Sequence, residues 1–401
     1  MPGTRPFRGF PATLFRVATE PKLALVMSGG GAHAAYQVGV LRAIVRILPR
    51  HATNPFHIFC GTSAGAINCT TLAAHADDLR LGVQRLTRIW GHFRVEQVFS
   101  ADWLHLMATA ARWLSALLLG RLGPSLPLAL LDRAPLEDLL STHLSLADMT
   151  AHIDAGLVHA VSVTASSYAS GQSFTFFQGA PDLCSWRRAD RVGLPTEITL
   201  AHLLASSAIP FVFAPVALGE GYFGDGSMRQ TAPLSAALHL GAKRLFVIGV
   251  QSPEIAVTAP HGPPSVADMA GHVLNSIFLE SLDADLERLE RINQTVRALR
   301  RGNQGGAVGL SEVACFALHP SQNLAAIANL YHDALPASLR FFLGALARHG
   351  RPDSALSSYL LFERGYCRHL MALGYADAMR NAGPIRAFLG FPHEKADLAA
   401  S

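Results

Sequence analysis

The chain has 401 residues, of which 50% are hydrophobic and only 15% charged, against a charged fraction of about 25% in average globular domains. So apolar a chain has a sizeable core to bury, which excludes an intrinsically disordered or purely electrostatic binder. Its 33 basic and 29 acidic residues leave a formal charge of +4, too small and too evenly spread for the footprint of a nucleic-acid-binding protein.

Residues 1–20 read as an N-terminal extension. They carry Arg5, Arg8 and Arg16 but no apolar run of about 7–15 residues, so a secretory signal peptide is not expected. Five scattered cysteines (Cys60, Cys69, Cys184, Cys315 and Cys367) include no C-x-x-C pair. They support neither a disulfide framework nor a zinc cluster and suit a reducing cytoplasm.

Residues 22–28 form a short apolar run that ends in Gly29-Gly30-Gly31, and apolar residues then recur at helical spacing through Val40, Leu41, Ile44, Ile47 and Leu48 up to Pro49. The spacing predicts strand, glycine loop and helix. A second such unit follows, in which residues 57–60 run into Gly61-Thr62-Ser63-Ala64-Gly65 and an Ala-rich helix. Two successive β-loop-α units predict a parallel sheet covered by helices, a three-layer α/β fold. Residues 77–150 read as a helical insertion, broken by Gly and Pro at 120–127, where a lid can sit. Further strands are expected at 157–165, 173–178, 213–218 and 243–250, with the sheet closing near residue 250.

The uncharged stretch 198–219 has the length of a membrane span, but His202, Ser206, Ser207, Pro210 and Pro215 interrupt it. It is read as a buried helix followed by a strand. After a Pro/Gly boundary at 260–264, apolar residues from Ile277 through Leu282, Leu286, Leu289, Ile292 and Val296 to Leu299 predict a long amphipathic helix. One more strand fits 312–318, and the remainder to about 391 reads as helical. The expected organisation is a catalytic domain over 21–255, a mainly helical C-terminal region over 265–393 and a tail at 394–401.

Gly61-x-Ser63-x-Gly65 has the form of a nucleophile elbow: a sharp strand-to-helix turn that lifts the serine hydroxyl above the sheet at a helix N-terminus. Alone the pattern is loose, and an ordinary Gly-rich turn competes with it. Gly29-x-Gly31-x-x-Ala34 formally fits a dinucleotide fingerprint, but the acidic residue required about 20 positions on is missing. The same loop can instead bring the Gly30 and Gly31 amides beside Ser63 as an oxyanion hole. For the glycines alone a tight turn stays open. A serine needs a base, yet none of His319, His332, His349, His369 and His393 sits in a recognisable post-strand loop, and no histidine pair has metal-ligand spacing. Asp225, in Gly224-Asp225-Gly226-Ser227, is the better candidate, although Asp-Gly taken alone is usually a turn.

Four blocks in order carry a resemblance. They are Ser28-Gly-Gly-Gly-Ala-His-Ala-Ala-Tyr-Gln-Val-Gly-Val-Leu41, Gly61 to Gly65, Ala205-Ser-Ser-Ala-Ile-Pro210 and Asp225-Gly226. Over about residues 20–250 the chain resembles the patatin-like phospholipases, serine lipid acyl hydrolases that use a Ser/Asp dyad and no catalytic histidine. The resemblance implies a patatin-like fold with a mostly parallel sheet, Ser63 as nucleophile, Asp225 as base and the Gly30 and Gly31 amides as oxyanion hole. Gly29, Gly61, Gly65 and Gly226 support the motifs; no cofactor or metal is implied, and the substrate is a phospholipid or other acyl-ester lipid. The family's loop usually continues with Arg or Lys and then Gly, whereas this chain has His33 and Ala34, and Ser227 replaces the usual Gly or Ala after Asp-Gly. Two readings of His33 stand side by side: a modulator that lowers activity or makes it pH-sensitive, its charge set by its environment, or a residue that simply caps or covers the loop. The alternative is a catalytically weak or silent lipid-binding scaffold on the same fold.

Within the insertion, Trp103 and Trp113 lie on nearly the same face of an apolar helical stripe over 102–121. That stripe is either core or a peripheral membrane contact.

Overall fold

The computed structural model describes residues 21–98, 131–210, 212–251, 281–301, 310–337, 340 and 354–391. The stripe with Trp103 and Trp113, the Pro/Gly boundary at 260–264 and the two termini lie outside them. Among the described residues no helix is long and apolar enough to cross a membrane.

The first half of the chain folds into β1 (Leu23–Met27), α1 (Ala35–Ile47), β2 (Ile58–Thr62), α2 (Ala64–Ala73), α3 (Leu79–Gly91), α4 (Ala134–His143), α5 (Leu146–Asp154) and β3 (Ala160–Ser167). There follow β4 (Ser173–Gly179), β5 (Trp186–Arg187), β6 (Arg191–Pro195), α6 (Leu200–Ser206), β7 (Val216–Leu218), β8 (Gly221–Asp225), α7 (Ser235–His239) and β9 (Arg244–Ile248). The last elements are α8 (Leu282–Arg301), β10 (Ala314–Leu318), α9 (Leu324–Ala328), α10 (Ser354–Leu360), α11 (Arg364–Arg380) and α12 (Ala382–Phe388).

All the strands join one sheet in the order β10-β9-β1-β2-β3-β4-β6-β5, with β8 pairing β3 and β7 pairing β8. The centre, β10-β9-β1-β2-β3, is parallel, and the antiparallel pairs lie beyond it. The sheet alternates its faces as strand geometry requires. Leu23, Leu25 and Met27 enter one hydrophobic core with α1, α2, α3 and α11, while Ala24 and Val26 enter a second with α7 and α8. This is the three-layer α/β architecture expected from the sequence.

Two details differ from that expectation. The sheet does not close near residue 250, because β10 pairs in parallel with β9. The strand expected over 213–218 is confined to Val216–Leu218, and Asp225 ends a further strand, β8, which turns back antiparallel from β7. The short apolar run hid a hairpin, since Gly219 takes the positive φ of 60° that reverses the chain.

In the 10-9-1-2-3 order the chain runs from β1 to β2 and β3 on one side and returns later to place β9 and β10 on the other, so the strand order reverses at β1. Such a switch point opens a crevice at the carboxyl ends of the strands. The glycine loop and Ser63 stand at that edge.

Candidate active site

Ser63 joins β2 to α2 with φ 52° and ψ −129°, and among the described residues it alone has a positive φ without being glycine. Such a conformation stores strain of order 1–3 kcal/mol and needs support from its surroundings. The neighbours make room for the turn: a Cβ at Gly61 would lie 2.3 Å from the Ala66 Cα, and one at Gly65 2.4 Å from the Met27 oxygen. The Ser63 amide donates to the Ser206 hydroxyl at 2.8 Å, and that hydroxyl donates to the Thr164 carbonyl at 2.6 Å. Sequence reasoning read the block from Ala205 to Pro210 as structural packing and missed this role. Nothing in the pattern distinguishes Ser206 from Ser207; only the packing of α6 on β3 does.

Asp225 is brought to the same place by strand register. Thr62 pairs with Thr164 across β2 and β3, and Ala165 pairs with Asp225 across β3 and β8. The carboxylate is 0% exposed, and its Oδ1 accepts from the Ser227 amide at 2.9 Å. Oδ2 has no partner in aligned hydrogen-bond geometry among the described residues, yet the Ser63 hydroxyl is close enough to stabilise the charged form. The Asp225 carboxyl is thus buried near the Ser63 hydroxyl with Oδ2 unsatisfied. Burial pushes the carboxyl up from 3.8 to about 6, and the Ser63 hydroxyl and the Ser227 amide and hydroxyl pull against that rise.

The glycine loop closes the site from the β1 side. A Cβ at Gly29 would meet the Ser227 Oγ at 2.4 Å and the Ser63 Cβ at 3.1 Å, so a side chain here would occupy the space between nucleophile and loop. Gly31 has φ 52°, and a Cβ on it would stand 2.3 Å from the Tyr359 carbonyl oxygen. Among the described residues neither the Gly30 nor the Gly31 amide has a backbone or side-chain acceptor. Gly226 follows Asp225, and a Cβ on it would be 2.2 Å from the Thr164 carbonyl oxygen.

His33 is packed as a residue covering the loop, one of the two readings the sequence left open. It is 5% exposed, its Nε2 shares a 2.9 Å hydrogen bond with the Ser358 hydroxyl, and its ring lies 4.5 Å from that of Tyr359. Burial pulls the imidazole from 6.5 down to about 3, so it is neutral across the physiological range. Ser358 and Tyr359 lie on α10, almost 300 residues beyond Ser63, and no local signal links them to the loop.

The expectation that no histidine follows a strand needs correcting at His319. It directly follows β10 and stands 3.6 Å from Asp283. Three strand spacings separate β10 from β2, roughly 14 Å, which puts that pair out of reach of Ser63. Among the described residues no group of three or more His, Cys, Asp or Glu side chains could hold a metal ion.

From Ser63 an apolar cleft of about 50 Å³ runs along α2 past Ala64, Ile67 and Thr71, walled by Leu86, Ile89 and Trp90 of α3 and by Leu136, Leu139 and Leu140 of α4. Val98, inside the expected insertion, also lines it. Behind this wall runs a buried polar chain. The Trp90 indole donates to Asn68, Asn68 to Gln37, and Gln37 to the Ser28 carbonyl at the base of the glycine loop, at 2.9, 3.0 and 2.8 Å.

The sequence profile of the family described as patatin-like phospholipase matches residues 25–238. No curated protein is significantly similar to the chain. Among solved structures, human GIVD cytosolic phospholipase A2 in complex with methyl gamma-linolenyl fluorophosphonate and terbium chloride is 14% identical, with a TM-score of 0.41; 92% of this chain and 59% of that one are covered. VipD from Legionella pneumophila is 10% identical with a TM-score of 0.40, covering 90% of this chain and 67% of that one. The ExoU-SpcU complex from Pseudomonas aeruginosa is 15% identical with a TM-score of 0.29, covering 93% and 79%.

Proposed function

The chain belongs to the patatin-like phospholipase family, and from that premise we propose that it hydrolyses acyl esters of lipids at Ser63, with Asp225 as the base. The observation that carries this reading is the buried Asp225 carboxyl near the Ser63 hydroxyl, raised in basicity and with its Oδ2 unsatisfied. A carboxylate with its ordinary pKa of about 4 is a weak base; one near 6 is better matched to taking a hydroxyl proton near neutral pH.

In the proposed reaction Ser63 Oγ forms a bond to the ester carbonyl carbon as its proton passes to Asp225. The Gly30 and Gly31 amides donate to the developing oxyanion. Collapse expels the alcohol, which takes the proton from Asp225 and leaves an acyl-serine. Water then attacks with Asp225 again as base, releasing the fatty acid and restoring the hydroxyl. His33, being neutral, adds no charge to the oxyanion loop. The apolar cleft supports a lipid substrate, since acyl carbons can lie along Ile67, Leu86 and Trp90 without burying an unpaired polar group.

The test is labelling and product analysis together. Wild type is expected to react with a fluorophosphonate and to release fatty acid from a mixed lipid extract, and Ser63→Ala to do neither. A wild type that stays unlabelled and inactive alongside a reactive hydrolase would favour a silent lipid-binding scaffold instead.

A further inference from the structure

Helix α3 is built with two different faces. Leu79, Val83, Leu86 and Trp90 are buried against the core. On the other side Leu81, Arg85, Arg88 and His92, which follows the helix directly, are all exposed. Spacings of four, three and four residues keep these side chains within about 60° of one another around the axis. The sequence of α3 contains no acidic residue, and among the described residues neither Arg85 nor Arg88 makes an ion pair. Its third arginine, Arg80, is occupied by the carbonyls of Val45, Leu48 and Pro49.

This stripe lies at the mouth of the Ser63 cleft. Arg85, Arg88, His92, Gln97 and His143 line a depression of about 400 Å³ whose remaining walls are Ile89, Phe93 and Leu139. Those three residues and His143 also line the apolar cleft. Arg85 and Arg88, both on α3, therefore border a depression continuous with the apolar channel that reaches Ser63. On α4 the cleft takes Leu136, Leu139, Leu140 and His143, one helical face, which turns Glu137 and Asp138 away from the depression.

We propose that the outer face of α3 is a docking surface for the anionic phosphate layer of a phospholipid bilayer, set so that acyl chains leave the bilayer directly into the Ser63 cleft. The inference rests on the lipid acyl hydrolase reading for what enters the cleft. Charge complementarity and continuity with the channel select the partner. A pocket for a small soluble anion would enclose it with buried donors. Here the arginines are exposed and Leu81, 43% exposed, stands in the same stripe, the mixture of apolar and basic residues that suits a headgroup layer.

The test is co-sedimentation of the full chain with phosphatidylcholine vesicles and with vesicles carrying about one-third phosphatidylglycerol. Wild type is expected to prefer the anionic vesicles and to lose that preference at high salt. The double variant Arg85→Glu, Arg88→Glu is expected to bind them at least about tenfold more weakly, with an unchanged melting temperature and an unchanged rate on a soluble short-chain ester. Arg187→Glu, Arg188→Glu, the same charge change at the C-terminal end of the edge strand β5, is expected to bind as wild type does. Equal binding by wild type and the α3 variant would overturn the proposal, as would an equal loss in the β5 control, which would show that only net charge matters. Release of bound protein by millimolar inorganic phosphate at constant ionic strength would also overturn it, by identifying a soluble-anion site. Binding is measured in Ser63→Ala as well. If docking persists there while wild type shows no hydrolysis of any ester, the hydrolase reading fails and the docking surface stands.

Discussion

Placing a carboxylate where it has no exposure raises its proton affinity, and at Asp225 burial outweighs the hydrogen bonds that oppose it. A folded-state pKa of about 6 against 3.8 means that the native state gains from the protonated form. That contribution is complete below about pH 3.8 and is lost as pH rises through about 6. Asp225→Asn is therefore expected to abolish turnover yet stabilise the protein at pH 8 by up to about 3 kcal/mol, with the advantage gone near pH 4. Urea unfolding at the two pH values checks this, and a destabilised variant at pH 8 would show that the carboxylate is structural. For activity the sign is opposite: kcat/KM should fall as pH drops below about 6, where the base is protonated. The Ser227 hydroxyl lowers the Asp225 pKa, so Ser227→Ala should move that acid limb upward. His33→Gln should leave its position unchanged, because His33 does not titrate in this range. A limb that vanished in His33→Gln would assign the titration to the wrong residue.

At the scale of elements, the elbow depends on α6 as much as on its own glycines. Ser206→Ala removes the acceptor for the Ser63 amide, leaving a buried donor unpaired at a cost of about 1–3 kcal/mol. The strained turn would then relax. The expected result is a fall in kcat with little change in KM, measured on a soluble ester, and a lower melting temperature; a normal kcat would mean that the elbow holds its shape unaided. Along α2, Ala64, Ile67 and Thr71 carry the cleft about 10 Å from Ser63. Ile67→Trp is expected to fill the channel near its inner end, and so to reduce kcat/KM at least tenfold for a long-chain nitrophenyl ester while sparing the acetyl ester. Equal losses on both would place the acyl chain elsewhere.

On the scale of the molecule, the C-terminal elements belong to the same core as the helix that follows Ser63. Helix α11 packs on α1 so closely that a Cβ at Gly39 would stand 2.1 Å from the Met371 carbonyl oxygen, and one at Gly374 2.2 Å from that of Tyr36. The contact is fastened by Asp377, 2% exposed, which accepts from the Tyr36 hydroxyl and from both the amide and hydroxyl of Ser321. Residues 21–251 produced alone would expose this face of α1 and the β9 edge that β10 covers. The fragment is expected to lack cooperative thermal unfolding and fixed near-ultraviolet dichroism. A sharp transition would show that the catalytic segment has a core sufficient to itself.

What the sequence determined on its own is local. Strand, turn and helix at Ser63 were legible because an elbow needs glycine at fixed offsets, and the glycine loop because close backbone approach admits no Cβ. Alternation of the sheet faces follows from strand periodicity, and the order of the four motif blocks carries the family. Tertiary structure decided what depends on residues distant in sequence. Register across β2, β3 and β8 puts Asp225 beside Ser63, and the sheet order removes His319. The docking of α10 decided the environment of His33, whose charge the sequence left open, and made it a neutral buried ring. Protonation depends on burial, and burial is a property of the neighbours that the fold brings to a residue, which no spacing within its own segment encodes.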